Sequence, residues 1–157
     1  MKFHLWLIGK TQNPHLAALV EMYFKRIARF HPLQVRVFKG VKGLSESHAQ
    51  RIIEREERQV LSEIHSGDYL ILLDERGKQY SSMEFADRLQ YWMNSPSKRC
   101  IFLIGGAYGV GSKIQERADE VLSLSRMTFS HELARLLFAE QLYRAFAILH
   151  RHPYHNA

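Results

Sequence analysis

The chain has 157 residues, of which 46% are hydrophobic and 24% charged, and its formal net charge is +6. A chain of that length is one domain's worth, residues 1–157, and buries roughly 70% of its unfolded surface, so it should fold without help. The basic balance favours an acidic partner such as nucleic acid; the lack of an uncharged apolar run of about 18 residues, and of a small-residue cleavage site after Met1-Lys-Phe-His-Leu-Trp-Leu-Ile8, argues against a membrane span and a secretory signal, so a cytoplasmic protein is expected.

The first apolar run, 3–8, reads as a strand, and 35–38 as a second. Residues 40–43, with Gly40 and Gly43, form a loop. The segment 46–64 reads as a helix with Ala49, Ile53, Val60 and Ile64 on one stripe and Glu54 paired with Arg58 on another; its charge run is taken as a solvated face. A third strand, 69–73, is apolar without alternation, as strands covered on both faces are. Residues 75–77 read as a loop. Ser81-Ser-Met-Glu84 then has the spacing of a capping box and starts a helix. The fourth strand, 100–104, includes the single cysteine, Cys100, which cannot close an internal disulfide and serves as a small apolar filler. Ser112-Lys-Ile-Gln115 repeats the capping pattern, and 121–124 is the fifth strand. Strands alternating with helices predict a three-layer α/β domain around a parallel sheet.

The last helix, 132–150, is apolar around most of its circumference: Leu133, Leu136, Leu137, Phe138, Leu142, Tyr143, Phe146, Ile148 and Leu149 form no single stripe. Such a helix is buried on more than one side. A small sheet covers one side, so a second subunit is expected to cover the other; the alternative is a central core helix in a monomer.

Between the fourth strand and the next helix runs Gly105-Gly106-Ala-Tyr-Gly109-Val-Gly111. Glycines there let backbone approach a ligand. The order is not Gly-x-Gly-x-x-Gly after an early strand, and Gly111-Ser112-Lys113 reverses the end of a P-loop, so neither a dinucleotide fold nor nucleotide hydrolysis is supported. A tight turn with no ligand remains open. Glu140 and Arg144 are spaced as a plain ion pair worth about 0.3–0.5 kcal/mol, His131 stands at a helix start, and the tail His152-Pro-Tyr-His155 reads equally as a frayed end.

Taken together, the glycine turn, Leu122-Ser-Leu-Ser-Arg-Met-Thr-Phe-Ser-His131, Glu140-x-x-Tyr-Arg144 and His152-Pro-Tyr-His155 resemble the SPOUT class of RNA methyltransferases. Within it they resemble the ribosomal large subunit methyltransferase H family, over essentially the whole chain. The resemblance implies an α/β-knot fold with a C-terminal trefoil knot, and a homodimer. It implies transfer of a methyl group from S-adenosylmethionine to N3 of a pseudouridine in 23S ribosomal RNA, within the assembled ribosome and without a metal. Its cofactor residues map onto Leu73, Gly105, Gly106, Leu124, Ser125, Arg126, Met127, Thr128 and Phe129. Its catalytic residues map onto His131, Glu140, Arg144, Tyr154 and His155. Apolar side chains among exposed peptide groups suit an adenine ring, and N3 must lose its proton, so a base or an anion-stabilising group is required beside the methyl. The family commonly carries a basic residue after the last His, where this chain has Asn156. The rival readings are a non-catalytic RNA-binding or ribosome-associated protein with the same fold and, disfavoured by the glycine order, a nucleotide-binding oxidoreductase.

Overall fold

Five apolar runs pair in parallel into one sheet in the computed structural model, which describes residues 1–41 and 43–156. In chain order the elements are β1 (Lys2–Ile8), α1 (Pro14–Ile27), β2 (Leu33–Phe38), a 3-10 turn (Glu46–His48), α2 (Ala49–Leu61), β3 (Asp68–Gln79), α3 (Ser82–Met93), β4 (Arg99–Ile104), α4 (Ser112–Arg117), β5 (Glu120–Ser123) and α5 (His131–Leu149). The strand order is β2-β1-β4-β3-β5. Inner strands of such a sheet are buried on both faces, which is why their sequences do not alternate. Phe3, Leu5, Leu7, Ile71, Phe102 and Ile104, with the buried Cys100, pack toward α1, α3 and α5. Trp6, Ile8, Leu70, Leu72, Ile101 and Leu103 pack toward α2 and α4. The expected three layers are present.

Four sequence expectations need correction. Residues 75–77 are not a loop: β3 continues to Gln79, and its pairing with β5 shifts register between Leu73 and Lys78. Only glycine fits there, because a Cβ on Gly77 would stand 2.5 Å from the Val121 carbonyl oxygen. The charge run of α2 is not wholly solvated. Glu56 and Glu57 are buried beside Ile52 and Val60, and Glu54 accepts from Gln50 rather than pairing with Arg58. Ser112 does not cap α4. Its N-cap is Gly111, and the first-turn amides of Lys113 and Ile114 donate instead to Glu57 Oε2, at 2.9 and 3.2 Å. A buried carboxylate is a stronger acceptor than a serine hydroxyl and suits the positive end of a helix. By contrast, the capping box of α3 is formed by Ser81 and Glu84 as predicted. Of the 40–43 loop, Lys42 lies outside the described residues; Gly40, Val41 and Gly43 belong to no strand or helix.

The fourth correction concerns α5. Its apolar circumference does not depend on the sheet alone, because α1 and α3 flank it in the same layer. Phe138, Ala139, Leu142, Ala145, Phe146 and Ala147 are buried within one chain, while Leu133 stays 36% exposed. The start of α5 is fixed by polar ties. Ser130 Oγ accepts from Leu133 N at 3.2 Å, and Glu132 Oε1 accepts from Asn13 N at 3.0 Å. Arg135, 0% exposed, donates to the Ile8 carbonyl at 2.6 Å and to Thr11 Oγ1 at 3.0 Å. These contacts lock α5 against the carboxyl end of β1.

The β3 continuation yields a stability prediction. Gly77→Ala forces a methyl onto the Val121 main chain and should cost about 1–3 kcal/mol in urea unfolding. A change within about 0.5 kcal/mol would mean that 75–77 behaves as a loop.

Candidate active site

The carboxyl ends of β4 and β5, and the part of β3 around its register shift, surround a cavity of about 740 Å³. Open parallel sheets place ligand crevices at that end. Its walls come from Leu73, from Gly105 and Gly106 after β4, and from Leu124, Ser125, Met127, Thr128 and Phe129 after β5. Every predicted cofactor residue therefore lines it except Arg126, which the structure leaves out of the lining. Met127 is 75% exposed, so its thioether has room to move.

The glycine turn is built by its own geometry. Gly109 has φ +82°, a region most side chains avoid, and its amide donates to the Gly106 carbonyl at 3.1 Å. A Cβ on Gly105 would lie 2.8 Å from Val110 Cγ1. On Gly106 it would meet both carboxylate oxygens of Glu56 at 3.3 Å. Serine hydroxyls tighten the opposite wall: Ser123 Oγ donates to the Ser125 carbonyl at 2.8 Å, and Ser125 Oγ accepts from Met127 N at 3.0 Å. Thr128 donates to Glu75, tying this wall to the continued β3. Sequence reading missed Asp74, Glu75, Arg76 and Tyr108, which also line the cavity. Glu75 and Arg76 were lost with the assignment of 75–77 to a loop, and Asp74 fell between that loop and the predicted strand 69–73.

The predicted catalytic residues divide into two groups. His131 lines the cavity, and burial, helped by the charge of Arg135, holds its imidazole below the usual histidine range, so it is neutral at pH 7. Glu140 lies about 13 Å further along α5 at 1.5 Å rise per residue, and the other three residues surround it. Arg144 forms an ion pair with Glu140 and donates to His155 Nδ1 at 3.0 Å. Tyr154 donates to Glu140 Oε1 at 3.1 Å. Guanidinium has no acceptor, so His155 Nδ1 accepts and its remaining proton sits on Nε2. Burial, a hydrogen bond to Tyr23 and the Glu140 charge all push the Tyr154 phenol above its usual range, which keeps it a donor.

The tail is not frayed. His152 N donates to the Ala147 carbonyl at 2.8 Å, Arg151 adopts φ 55°, and the Tyr154 ring lies 4.6 Å from that of Tyr143. Tyr23 of α1 contacts Tyr154 OH at 3.3 Å and was missed; nothing local distinguishes it from other aromatic residues of an amphipathic helix. The end of α1 and the tail also gather cations. Among the described residues Lys25, Arg26, Arg29 and Arg151 have no ion-pair partner, whereas six other arginines do. Arg26 lies over the Tyr23 ring, 5.5 Å from its centroid. No group of three or more metal-ligating side chains, and no helix long and apolar enough to cross a membrane, occurs among the described residues.

Known proteins of this architecture carry methyltransferase names. A proteins-family model described as "Predicted SPOUT methyltransferase" matches residues 1–155. A protein of Parabacteroides distasonis named "Ribosomal RNA large subunit methyltransferase H" is 41% identical over 159 aligned residues, covering 99% of each chain. One of the same name from Flavobacterium johnsoniae is 45% identical over 159, again covering 99% of each. Among solved structures, a probable methylase family protein from Haemophilus influenzae aligns with a TM-score of 0.53 at 13% identity, covering 99% of this chain and 70% of that one, a likeness of fold alone. The full-length match and the arrangement of the cavity agree, and the chain belongs to the SPOUT methyltransferase family.

Proposed function

We propose that this chain transfers a methyl group from S-adenosylmethionine to N3 of a pseudouridine in 23S ribosomal RNA, acting in the cytoplasm on the assembled ribosome. The observation that carries the reading is the cavity, whose walls combine the predicted cofactor residues with His131. Its volume of about 740 Å³ is within the range of small-molecule sites. The glycine turn, where a Cβ at Gly105 or Gly106 would occupy space against Val110 or Glu56, suits close approach of a ligand to main chain. The residues present therefore fit S-adenosylmethionine, which supplies an activated methyl group. We further propose one methyltransferase domain spanning 1–157, with the trefoil threading its family implies.

The chain's own residues would divide the work. Apolar side chains at Leu73, Leu124 and Phe129 exclude water from the adenine side. His131, neutral and inside the cavity, accepts the N3 proton. Arg144 and His155 Nε2 donate to the carbonyl oxygens of the base as negative charge develops there, while Tyr154, its one proton given to Glu140, holds that carboxylate and so orients Arg144; donors already oriented lose little on reaction. Lys25, Arg26, Arg29 and Arg151 would hold RNA phosphates beside that cluster and stand in for the basic residue missing at Asn156. S-adenosylmethionine and ribosomal RNA are thus the proposed cofactor and substrate.

The distance between the two groups supports a homodimer. The Glu140 cluster stands about 13 Å along a rigid helix from His131 of its own chain, too far for the two to act on one base. A twofold-related copy with α5 antiparallel would bring the tail of one chain to the cavity of the other. We propose that the active site is composite in this way.

Three outcomes test the reading. Gly106→Val should weaken S-adenosylmethionine binding by tenfold or more in calorimetry, about 1.4 kcal/mol, with the fold kept; unchanged affinity would move the cofactor elsewhere. Truncation after Arg151 should leave that binding nearly intact and abolish methyl incorporation into ribosomes, and full activity of the truncated chain would reduce the tail to a structural end. At S-adenosylmethionine too dilute to occupy the Gly106→Val cavity, mixing these two variants should restore about a quarter of wild-type activity, because half of the dimers are hybrids with one complete site. No restoration, or a monomer in sedimentation that still methylates ribosomes, defeats the composite site.

A further inference from the structure

Glu56 has no counterpart in the machinery so far described. It sits on α2, on the opposite face of the sheet from α5, and is 7% exposed. Its Oε1 has no hydrogen-bond partner, and no cation among the described residues pairs with it. What it faces is the glycine turn: a Cβ on Gly106 would meet both of its oxygens at 3.3 Å, with Ile8 Cγ2 on the same side at 3.6 Å. Gly106 faces Glu56 and the cavity at once. An unpaired carboxylate in such a place is costly, and a fold retains one where a ligand or partner offsets the cost.

The other acids near the cavity are already engaged. Glu57 accepts from the amides of α4, Asp74 pairs with Arg76, and Glu75 accepts from Thr128. Arg135, the nearest buried cation to Ile8, gives its guanidinium to the Ile8 carbonyl and Thr11. Burial alone raises the Glu56 carboxyl to about 7, with no charged neighbour contributing. The field of such a group is poorly screened, because it is shielded from water and salt.

Resting on the cavity as the S-adenosylmethionine site, we propose that Glu56 supplies the negative charge that makes the cavity prefer the sulfonium-bearing methyl donor to its neutral thioether product. Methyl transfer removes one positive charge from the ligand, since the sulfur keeps the electron pair of the broken S–C bond. The same carboxylate that holds the donor then holds the product less well. Gly106 is required in this arrangement because any side chain there would separate the charge from the ligand.

The test measures binding of S-adenosylmethionine and of S-adenosylhomocysteine by calorimetry at pH 8, to the full-length protein and to Glu56→Gln. The amide keeps the shape and removes the charge. The preference for the donor should fall about fivefold in the variant, the size expected of one charge pair several ångströms apart in a partly screened medium. A preference equal to the wild type's, or an equal loss of both ligands, overturns the proposal and leaves Glu56 as packing beneath the turn. Wild-type protein that binds neither ligand fails the cavity assignment itself, and the proposal with it. Thermal unfolding without ligand checks the buried charge independently. A carboxyl raised in the folded state stabilises below its ordinary range and loses that contribution as pH rises through about 7, so wild type should weaken relative to Glu56→Gln from pH 5 to pH 8. Parallel pH curves would also overturn it, since Glu56 would then carry no buried charge.

Discussion

The burial of α5 is the constraint on which the rest of this molecule depends. A helix apolar nearly all round cannot lie on a sheet surface with one side in water. It is accommodated because α1 and α3 stand on either side of it over β4, so two helices and the sheet share its side chains. That arrangement is rigid, and it runs from the cavity at one end to the folded tail at the other. His131 and Tyr154 are therefore held apart by the helix that positions them both. The separation turns an ordinary packing solution into an argument for a second copy of the chain.

Buried charges do the local positioning. Arg135, fully buried, grips the main chain at the end of β1 and fixes where α5 begins. Glu57 reaches from α2 to satisfy the first amides of α4, which follows the glycine turn. Each of these groups is costly to bury, and each meets the cost with hydrogen bonds to main chain that would otherwise be orphaned. Glu56 stands apart because it has the burial without the partner.

The Glu140 cluster is a network of a different kind. Glu140 accepts from both Arg144 and Tyr154, Arg144 also donates to His155, and Tyr23 closes the ring from α1. Within it every proton position follows from what guanidinium and phenol can donate. The cluster consequently presents donors rather than a free base, and the only neutral imidazole facing the cavity, among the residues singled out for catalysis, is that of His131. Chemistry that creates an anion on the base fits this division.

Much of the architecture was written in local sequence. The strands 3–8, 69–73 and 100–104 were legible because strands buried on both faces are uninterrupted apolar runs, and Ser81-x-x-Glu84 announced a helix because a capping box involves only neighbours in the chain. The glycine turn marked one wall of the cavity, and the tail motif marked the terminal cluster. What sequence alone could not determine was every contact between distant segments. Glu57 capping α4, Glu56 beneath Gly106, Gly77 against Val121 and Tyr23 against Tyr154 join residues far apart in the chain, and no periodicity or spacing encodes them. The charge run of α2 looked solvated because composition gives a helix its polarity but not the depth at which each turn sits. Residues 75–77 looked like a loop because glycine and charge usually mark one, whereas close packing of β3 on β5 made glycine the only residue that fits. Local physics fixed the elements, and tertiary packing decided which of their polar groups were buried, paired or left facing the cavity.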